Sequence, residues 1–487
     1  MLCYIKRSQN HFLRSYALFS SQLYLFREEK IRRKSEFVEN FTMSTDKDTK
    51  KADKEVHNES EFGGTFGAVT IILFSHFILY YLFISLHVYD GSLFLPWMRV
   101  EEHIQFICDK MAPNLETFAV YLTFMAMQTI FAWILPGFKV EGLPVPSLNG
   151  EKLVYNCNGY SSWWLTQITM ALLHYNGIFR IQWIAQNMGP LITIMIIFSD
   201  VVAVLVYCIS LATGCTLRMS GNHLYDFFMG AVLNPRVGSL DIKMWAEVRV
   251  SWITLYLMTL SAAVNQYQQL GYLTSSMTFM LVSHWLYTNA CCKGEEMIPS
   301  SWDIFYEKWG WMLCFWNLAG VPIMYCWNSF YILRHQCEMS TFVANVVFLL
   351  LVVQYYIWDT ANSQKCSLRM IQRGTYKERP WYIFPKLPWK VLENPKTIKT
   401  ESGSALLVDG WYQYARKMHY TMDVLLGLMW GVVCGTKHFL PYWYFVFFTI
   451  MIVDRWRRDD KRCSAKYGGD WEKYKKEVPY VFIPYVF

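Results

Sequence analysis

The sequence predicts an all-α membrane protein, a polytopic bundle of about ten transmembrane helices that each cross roughly 30 Å of bilayer hydrocarbon. Of the 487 residues, 54% are hydrophobic and 18% are aromatic, whereas only 17% are charged. Soluble globular domains have about 25% charged residues. Long apolar segments also recur from Phe66 to the C-terminal region. Composition and segment length therefore indicate that lipid surrounds most of the protein.

About ten apolar segments approach the ~20 residues that a transmembrane helix needs. Pro322 lies inside one of them, and membrane helices tolerate proline because neighbouring groups satisfy the freed backbone atoms. The predicted spans are 66–89, 116–136, 161–180, 189–213, 250–271, 273–292, 310–334, 340–359, 420–436 and 438–453.

The loops between the predicted spans indicate their orientation. Lys and Arg are concentrated in the N-terminal region, in 214–249, in 359–419 and in the C-terminal tail. With an even number of spans these segments share one side of the membrane, which the positive-inside rule assigns to the cytosol. Residues 1–60 contain a polar, charged stretch without a core pattern, so we expect a disordered cytosolic tail. Both termini are predicted to be cytosolic.

Charge and cysteine usage exclude two further classes of site. The net charge of +7 is dispersed along the sequence, whereas nucleic-acid-binding proteins concentrate Lys and Arg on one face. We therefore expect no nucleic-acid partner. The 13 cysteines are scattered, without the paired spacing of metal ligands. Cys291 and Cys292 are adjacent, but neighbouring helical residues point about 100° apart, so we expect no metal site.

The first candidate for chemistry is the end of the sixth predicted span and the segment after it. Tyr287 is followed by several acidic residues between positions 295 and 307, near the predicted cytosolic surface. Such a cluster can deliver a proton from the cytosolic surface to a site within the membrane. Ionisable groups at membrane depth are functional candidates by default. Alternatively, these residues form an acidic loop that pairs with Lys293 and Lys308. Sequence spacing leaves both interpretations open.

The second candidate consists of basic clusters after the eighth and the tenth predicted spans. Lys365 and Arg369 are four residues apart and share a helix face, and a run of Arg and Lys begins at Arg455. Two such clusters can clamp a phosphorylated ligand, or they provide positive-inside anchoring and attraction to anionic lipid. No glycine-rich dinucleotide fingerprint follows a predicted strand. A nicotinamide cofactor would therefore need a membrane-embedded, non-Rossmann pocket.

Two C-terminal segments resemble those of a known family. LLVDGWYQYARKMHYTMD at 406–423 and DRWRRDDKRCSAKYGGDWEKYKKEVPYVFIPYVF at 454–487 are similar to the two signatures of the sterol reductases, which act at C-14, C-7 or C-24(28). The membrane domain of the lamin B receptor shares these signatures. The likeness continues upstream through 221–249 and 302–325 and covers the sequence from residue 61 onward.

Five shorter motifs resemble the C-24(28) branch of this family. The resemblance implies an NADPH-dependent enzyme that reduces the C-24(28) methylene on the side chain of a sterol, the final step of ergosterol-type biosynthesis, by protonation and hydride transfer. Reduction at C-14 or C-7 is the alternative within the family, and a non-enzymatic sterol-binding scaffold like the lamin B receptor is the alternative of another class. The motifs are EFGGTFGAV at 61–69, LHVYDG at 86–91, YNCNGYSSWW at 155–164, NACCKGEE at 289–296 and FWNLAGVP at 315–322.

The resemblance also implies an organisation and a location. Residues 61–487 form one sterol reductase membrane domain, with N-terminal helices in 61–249 and a catalytic half in 250–487 that holds the sterol and NADPH pockets. The implied location is the endoplasmic reticulum membrane, where the sterol substrate enters from the bilayer. Membrane lipid and other sterol-biosynthesis enzymes are the remaining implied partners.

Individual residues acquire expected roles from the same resemblance. Tyr287 matches the family tyrosine proposed to face the sterol double bond. Ala290 stands where many relatives carry Asp, which makes Glu295 and Asp303 alternative proton sources. The implied NADPH-binding residues are Asn362, Lys365, Arg369, Trp411, Tyr412, Arg455, Asp459, Lys466 and Tyr467.

Overall fold

The computed structural model describes residues 61–145, 148, 150–379, 391–401 and 403–486. The predicted disordered tail at 1–60 lies outside these residues. Contacts divide the protein into two units after Gly64, and the second unit, Thr65–Phe487, carries the fold.

The described part of the protein is mostly helical, as predicted, and a helix lies within each predicted apolar segment. The longer helices, numbered in sequence order, are α1 (Gly64–Val88), α2 (Val100–Lys110), α3 (Leu115–Ile134), α4 (Gly159–Tyr175), α5 (Met188–Thr213), α6 (Ile253–Leu270), α7 (Ser275–Lys293), α8 (Val321–His335), α9 (Thr341–Gln372), α10 (Met418–Val432), α11 (Trp443–Tyr467) and α12 (Gly469–Glu477). The shorter helical turns are Glu61–Gly63, Trp183–Gln186, His223–Met229, Ile242–Met244, Glu295–Ser300, Trp302–Phe305, Trp311–Phe315, Gly410–Gln413 and Leu440–Tyr442.

Four helices in the described part of the protein are both long and apolar enough to cross a membrane. Apolar side chains on their outer faces are exposed, for example Leu73 at 66%, Leu205 at 54% and Leu349 at 66%. Such surfaces suit contact with lipid tails. The four candidate spans are Glu61–Val88, Leu115–Ile134, Met188–Thr213 and Thr341–Gln372.

Local sequence determines where several helices begin and end. The Asn114 side chain accepts a hydrogen bond from the backbone N–H of Thr117 at 2.9 Å, which caps α3. Thr274 caps α7 in the same way, through the N–H of Met277 at 3.2 Å. Gly271 ends α6 with a φ of 79°, a left-handed conformation that glycine adopts without steric penalty.

A π-helical turn directly precedes each of two helices. Residues Trp245–Trp252 lead directly into α6, and Trp316–Gly320 lead into α8. The two turns touch, because the Ser251 hydroxyl donates to the backbone oxygen of Asn317 at 2.6 Å. A π-turn is rare and is frequently found at functional sites.

The expectation of an all-α protein needs one correction, because the described residues include three antiparallel hairpins. These segments lie between the apolar spans, and a short alternating pattern gives a weaker signal than a long apolar run. The first hairpin has an irregular register between Glu141 and Pro144. The paired strands are β1 (Phe138–Val145) with β2 (Glu151–Cys157), β3 (Arg236–Val237) with β4 (Leu240–Asp241), and β5 (Thr397–Lys399) with β6 (Ala405–Leu407).

The part of the core nearest the π-turn of Trp245–Trp252 lies where that turn, α4, α6 and α7 meet. Trp163 of α4 is fully buried against Val248, Tyr256 and Cys292. The rings of Trp163 and Tyr256 meet edge to face, with their centroids 4.8 Å apart. Close packing of Val248 against these residues therefore holds the π-turn in place.

Ion pairs attach the acidic segment, residues 293–307, to elements that are distant in sequence. In three of these pairs both side chains are at most 5% exposed. A buried pair is stable only with both partners present, since removing one leaves an uncompensated charge. The pairs are Lys293–Asp359 (2.6 Å), Glu295–Arg249 (2.8 Å), Glu296–Arg379 (2.9 Å), Asp303–Arg455 (2.8 Å) and Glu307–Arg458 (3.5 Å).

We predict that Lys293→Met lowers the free energy of unfolding by about 3–5 kcal/mol, because Asp359 loses its buried cation. The measurement is the thermal unfolding temperature of the purified full-length protein in detergent. Lys396→Met is the matched control, because its pair with Glu477 has side chains 67% and 46% exposed, and such exposed pairs contribute about 0–1 kcal/mol. Equal losses in both variants would contradict the prediction.

Candidate active site

A cavity of about 680 Å³ lies where α7, α9 and α11 end. Its walls also include the turns Glu295–Ser300 and Trp302–Phe305, the loop before α10, strand β6 and helix α12. Two residues from the N-terminal half, Leu143 of β1 and Glu247 of the first π-turn, also line it. The volume is in the range of about 300–1,000 Å³ that is typical of ligand and cofactor sites.

The structure brings the expected cofactor-binding residues together in this cavity, apart from Trp411. Tyr412 is only 2% exposed, with its hydroxyl 3.3 Å from Nδ1 of His419. The Trp411 indole instead donates to the Thr360 hydroxyl at 2.7 Å. Trp411 therefore contacts α9 through Thr360 and is not among the described residues that line the cavity. The expected residues that line the cavity are Asn362, Lys365, Arg369, Tyr412, Arg455, Asp459, Lys466 and Tyr467.

Helix α9 presents a row of cations to the cavity. Lys365, Arg369 and Arg373 follow one another at intervals of four residues, with Arg373 directly after the end of α9. All three line the cavity. Within the described residues, neither Lys365 nor Arg369 forms a hydrogen bond or ion pair through its side chain. The Nε and Nη1 atoms of the lining residue Arg416 are buried and have no hydrogen-bond partner in the described residues. The Lys365 ammonium lies 5.9 Å from the centroid of the Tyr412 ring, but no carboxylate of the described residues binds Lys365 or Arg369. Because a partly buried cation without a counter-charge is unfavourable, this wall fits an anionic ligand, and membrane anchoring alone does not explain it.

A second group of charges in the cavity is paired. The Lys417 ammonium donates to the Asp459 carboxylate, and Arg462 binds the same carboxylate at 3.1 Å. Burial lowers the pKa of Lys417, but the attraction of Asp459 outweighs it, and the pKa lies above its ordinary value. Lys417 therefore remains a cation. Sequence reasoning gave Lys417 no role, although it lies inside the 406–423 motif.

Tyr287 lies beside the cavity, inside a cluster of aromatic rings. Its ring stacks on Trp358 at 5.1 Å and meets the edge of Trp252 at 5.3 Å. Both tryptophans line the cavity, whereas Tyr287 itself is 6% exposed. Tyr325 and Trp430 complete the cluster at 6.1 and 6.2 Å.

Glu295 and Asp303 are not among the described residues that line the cavity. Glu295 binds Arg249 and accepts the backbone N–H of Gly159 at 2.5 Å. A Cβ atom at Gly159 would lie 2.9 Å from the Glu295 carboxylate, so glycine permits this approach.

Asp303 binds Arg455, which does line the cavity. Partial burial raises the pKa of Asp303, but the Arg455 guanidinium outweighs it, and the pKa lies below its ordinary value. The acidic segment is thus anchored by arginines from distant elements, a pairing that sequence spacing did not indicate. The predicted partner Lys308 donates to the backbone oxygen of Arg218 at 3.0 Å.

These features define a mostly helical membrane protein with a cation-lined cavity beside an aromatic cluster. Residues 56–487 match the ergosterol biosynthesis ERG4/ERG24 family. The protein belongs to this family of sterol reductases and is an oxidoreductase. The resemblance of its C-terminal motifs is thereby confirmed.

Individual relatives are similar over most of their length. The Delta(24(24(1)))-sterol reductase erg4A of Aspergillus fumigatus is 40% identical over 455 residues, which cover 91% of the present sequence and 96% of that protein. A Delta(24(24(1)))-sterol reductase of Gibberella zeae is 40% identical over 440 residues, 88% of the present sequence and 73% of that protein. A Delta(14)-sterol reductase of Dictyostelium discoideum is 30% identical over 444 residues, 88% of the present sequence and 93% of that protein.

We predict that Lys365→Met raises the free energy of unfolding of the ligand-free protein by on the order of 1 kcal/mol, because it removes an enclosed, unpaired charge. Thermal unfolding in detergent without added anions measures the effect. Lys293→Met serves as the opposite control, since that lysine is paired. A destabilised Lys365→Met protein would show that the cation is already satisfied within the protein.

Proposed function

We propose that this sterol reductase saturates the C-24(28) double bond of its sterol substrate and uses NADPH as the reductant. The choice of double bond rests on similarity: the relatives named for Delta(24(24(1))) reduction are 40% identical to this protein, whereas the Dictyostelium discoideum Delta(14)-sterol reductase is 30% identical. Reduction at C-14 is the second candidate, because that relative also matches over most of its length.

The observation that supports NADPH is the unpaired row of cations on α9. NADPH carries a pyrophosphate and a 2′-phosphate, and Lys365 and Arg369 offer donors at spacing suited to such groups. Asn362 of α9 and Lys466 and Tyr467 of α11 line the same cavity. The residues present therefore fit the cofactor without a Rossmann fold. When bound, NADPH supplies a hydride to the alkene.

Other residues hold this wall in place in our proposal. Asp459 keeps Lys417 and Arg462 together, and Arg455 faces the cavity because Asp303 binds it. Trp411 positions Tyr412 by bonding α9, through its indole to Thr360 and through its backbone N–H to Gln364 at 3.0 Å. Prearranged groups of this kind bind a ligand without reorganisation.

We place the reacting part of the sterol beside the aromatic cluster around Tyr287. Protonation of an alkene leaves a positive charge on carbon, and aromatic faces stabilise a nearby cation. The apolar cluster also excludes water that would attack that carbon. The Tyr287 hydroxyl then donates or relays the proton. Glu295 and Asp303 enter this proposal as positioning carboxylates, because arginines bind both of them.

The proposal includes a membrane arrangement. All ten apolar helices cross the bilayer, both termini are cytosolic, and the protein resides in the endoplasmic reticulum membrane. The basic loops and the exposed apolar faces of α1, α5 and α9 support this arrangement. The sterol substrate reaches the site from the surrounding lipid, and other sterol-biosynthesis enzymes are candidate neighbours.

We predict that the double variant Lys365→Ala, Arg455→Ala abolishes NADPH binding and sterol reduction. The test is mass spectrometry of sterols from cells that lack their own C-24(28) reductase and express this protein. Wild type should restore saturation of the methylene at C-24(28). Lys399→Ala, an exposed lysine on β5, is the control that should match wild type. Unchanged sterols with a stably expressed wild-type protein would redirect the assignment to C-14 or C-7 substrates.

We predict that Tyr287→Phe lowers kcat by about 10²-fold or more, the usual effect of losing a proton-transfer group, while the Kd for NADPH is unchanged. Steady-state kinetics with the purified enzyme and titration of NADPH provide the two numbers. Tyr267→Phe alters an exposed tyrosine and should keep full activity. Full turnover by Tyr287→Phe would remove this hydroxyl from the proton step.

A further inference from the structure

Glu247 differs from the other carboxyl groups that line the cavity. Four carboxyl groups of the described residues line it, those of Glu247, Asp359, Asp459 and Asp460. Within the described residues, Glu247 forms no hydrogen bond or ion pair through its side chain. The other three bind Lys293 (Asp359), Lys417 and Arg462 (Asp459), and the indole of Trp471 (Asp460). Glu247 is thus available to a ligand.

The π-turn brings both Glu247 and Trp252 to the cavity wall. Residues five apart on an α-helix point about 140° apart, but in a π-helix the i→i+5 hydrogen bond places them on one face. Glu247 and Trp252 are five apart, and both line the cavity. Trp252 also touches the Tyr287 ring. The rare backbone conformation therefore turns this carboxyl towards the aromatic cluster.

The opposite side of the same turn is anchored, so the direction of Glu247 is fixed. Arg249, two residues later, is buried and binds both Glu295 and Asn158. Val248 is fully buried in the core beside Trp163. A rotation of the turn that withdrew Glu247 from the cavity would break these contacts.

The charges around Glu247 favour a carboxyl that carries a proton. Glu247 precedes the predicted span 250–271. Its enclosure raises its pKa, the negative charge of Asp303 raises it further, and Arg455 and Lys243 oppose this without cancelling it. Asp241 adds a further negative charge. An acid that remains protonated near neutral pH is what alkene protonation requires.

Among the described residues that line the cavity, those of α7 do not provide an equivalent acid. Ala290 and Cys291 of α7 line the cavity. Ala290 contributes only a methyl group, and a thiol is a weaker acid than a carboxyl group. Cys291 is one helical turn after Tyr287 and lines the same cavity as Glu247.

We propose that Glu247 is the source of the proton that adds to the sterol double bond, with the Tyr287 hydroxyl as the relay. This inference rests on the proposed reduction. The O–H bond of Glu247 breaks, and the alkene π electrons form a C–H bond with the proton that Tyr287 passes on. The other alkene carbon is left positive until it accepts the hydride of the proposed reaction. The Glu247 carboxylate then regains a proton from water that enters the cavity.

The first test does not depend on turnover or on the cofactor. Infrared spectra of the purified full-length protein at neutral pH, without NADPH, report the C=O stretch of protonated carboxyl groups. The difference spectrum between wild type and Glu247→Gln should show the loss of one such band. Glu141→Gln, the same change at an exposed glutamate, should remove none. A spectrum in which Glu247→Gln also removes none would overturn the proposal.

The second test is kinetic. Glu247→Gln should lower kcat by about 10²-fold, increase the solvent deuterium isotope effect on kcat, and leave the Kd for NADPH unchanged. Glu247→Asp should recover part of kcat because it restores an acid. A fall in NADPH affinity that matches the fall in kcat would assign Glu247 a structural role and overturn the proposal.

The outcomes also separate this inference from the proposed function. A wild-type protein that binds NADPH but reduces no C-24(28), C-14 or C-7 sterol would defeat the proposed function, whatever the infrared result. A wild-type protein that turns over while Glu247→Gln keeps its full kcat would defeat only the role of Glu247.

Discussion

Ion pairs of residues 293–307 hold the helices around the cavity in one arrangement. They join this segment to the first π-turn, α9 and α11. Charges are unfavourable in a low-dielectric interior unless both partners are present and well placed. The elements that carry the partners therefore cannot shift independently. A cavity whose walls come from such distant parts of the sequence keeps its shape for this reason.

The pairing also determines which charged groups remain available. Carboxylates of the acidic segment and of α11 neutralise Arg249, Arg455 and Lys417. Lys365 and Arg369 are left to face the cavity, and so is Glu247. The unpaired cations and the unpaired acid thus come from different helical segments that line one cavity. This separation suits a reaction in which an anionic cofactor and a proton approach the same double bond from different sides.

The aromatic cluster links these two parts of the site. Trp252 and Trp358 line the cavity, and both contact Tyr287. Trp252 follows Glu247 in the π-turn, and Trp358 precedes the cation row on α9. The same two helical segments therefore carry an aromatic ring and a charged group to the cavity. A small movement of either segment would therefore shift an aromatic ring and a charged group of the site together.

The sequence by itself determined the membrane class, the helical positions and the family, because apolar runs, a four-residue spacing and long motifs are local properties. Lys365 and Arg369 were predictable on one helix face for that reason. The tertiary structure alone decided that they face a cavity, that Glu295 and Asp303 bind arginines, and that Glu247 is unpaired within the described residues. These features depend on contacts such as Asp303–Arg455 and Arg249–Glu295. Local sequence patterns do not predict such contacts, because the energy of a charged group depends on the groups that folding places beside it.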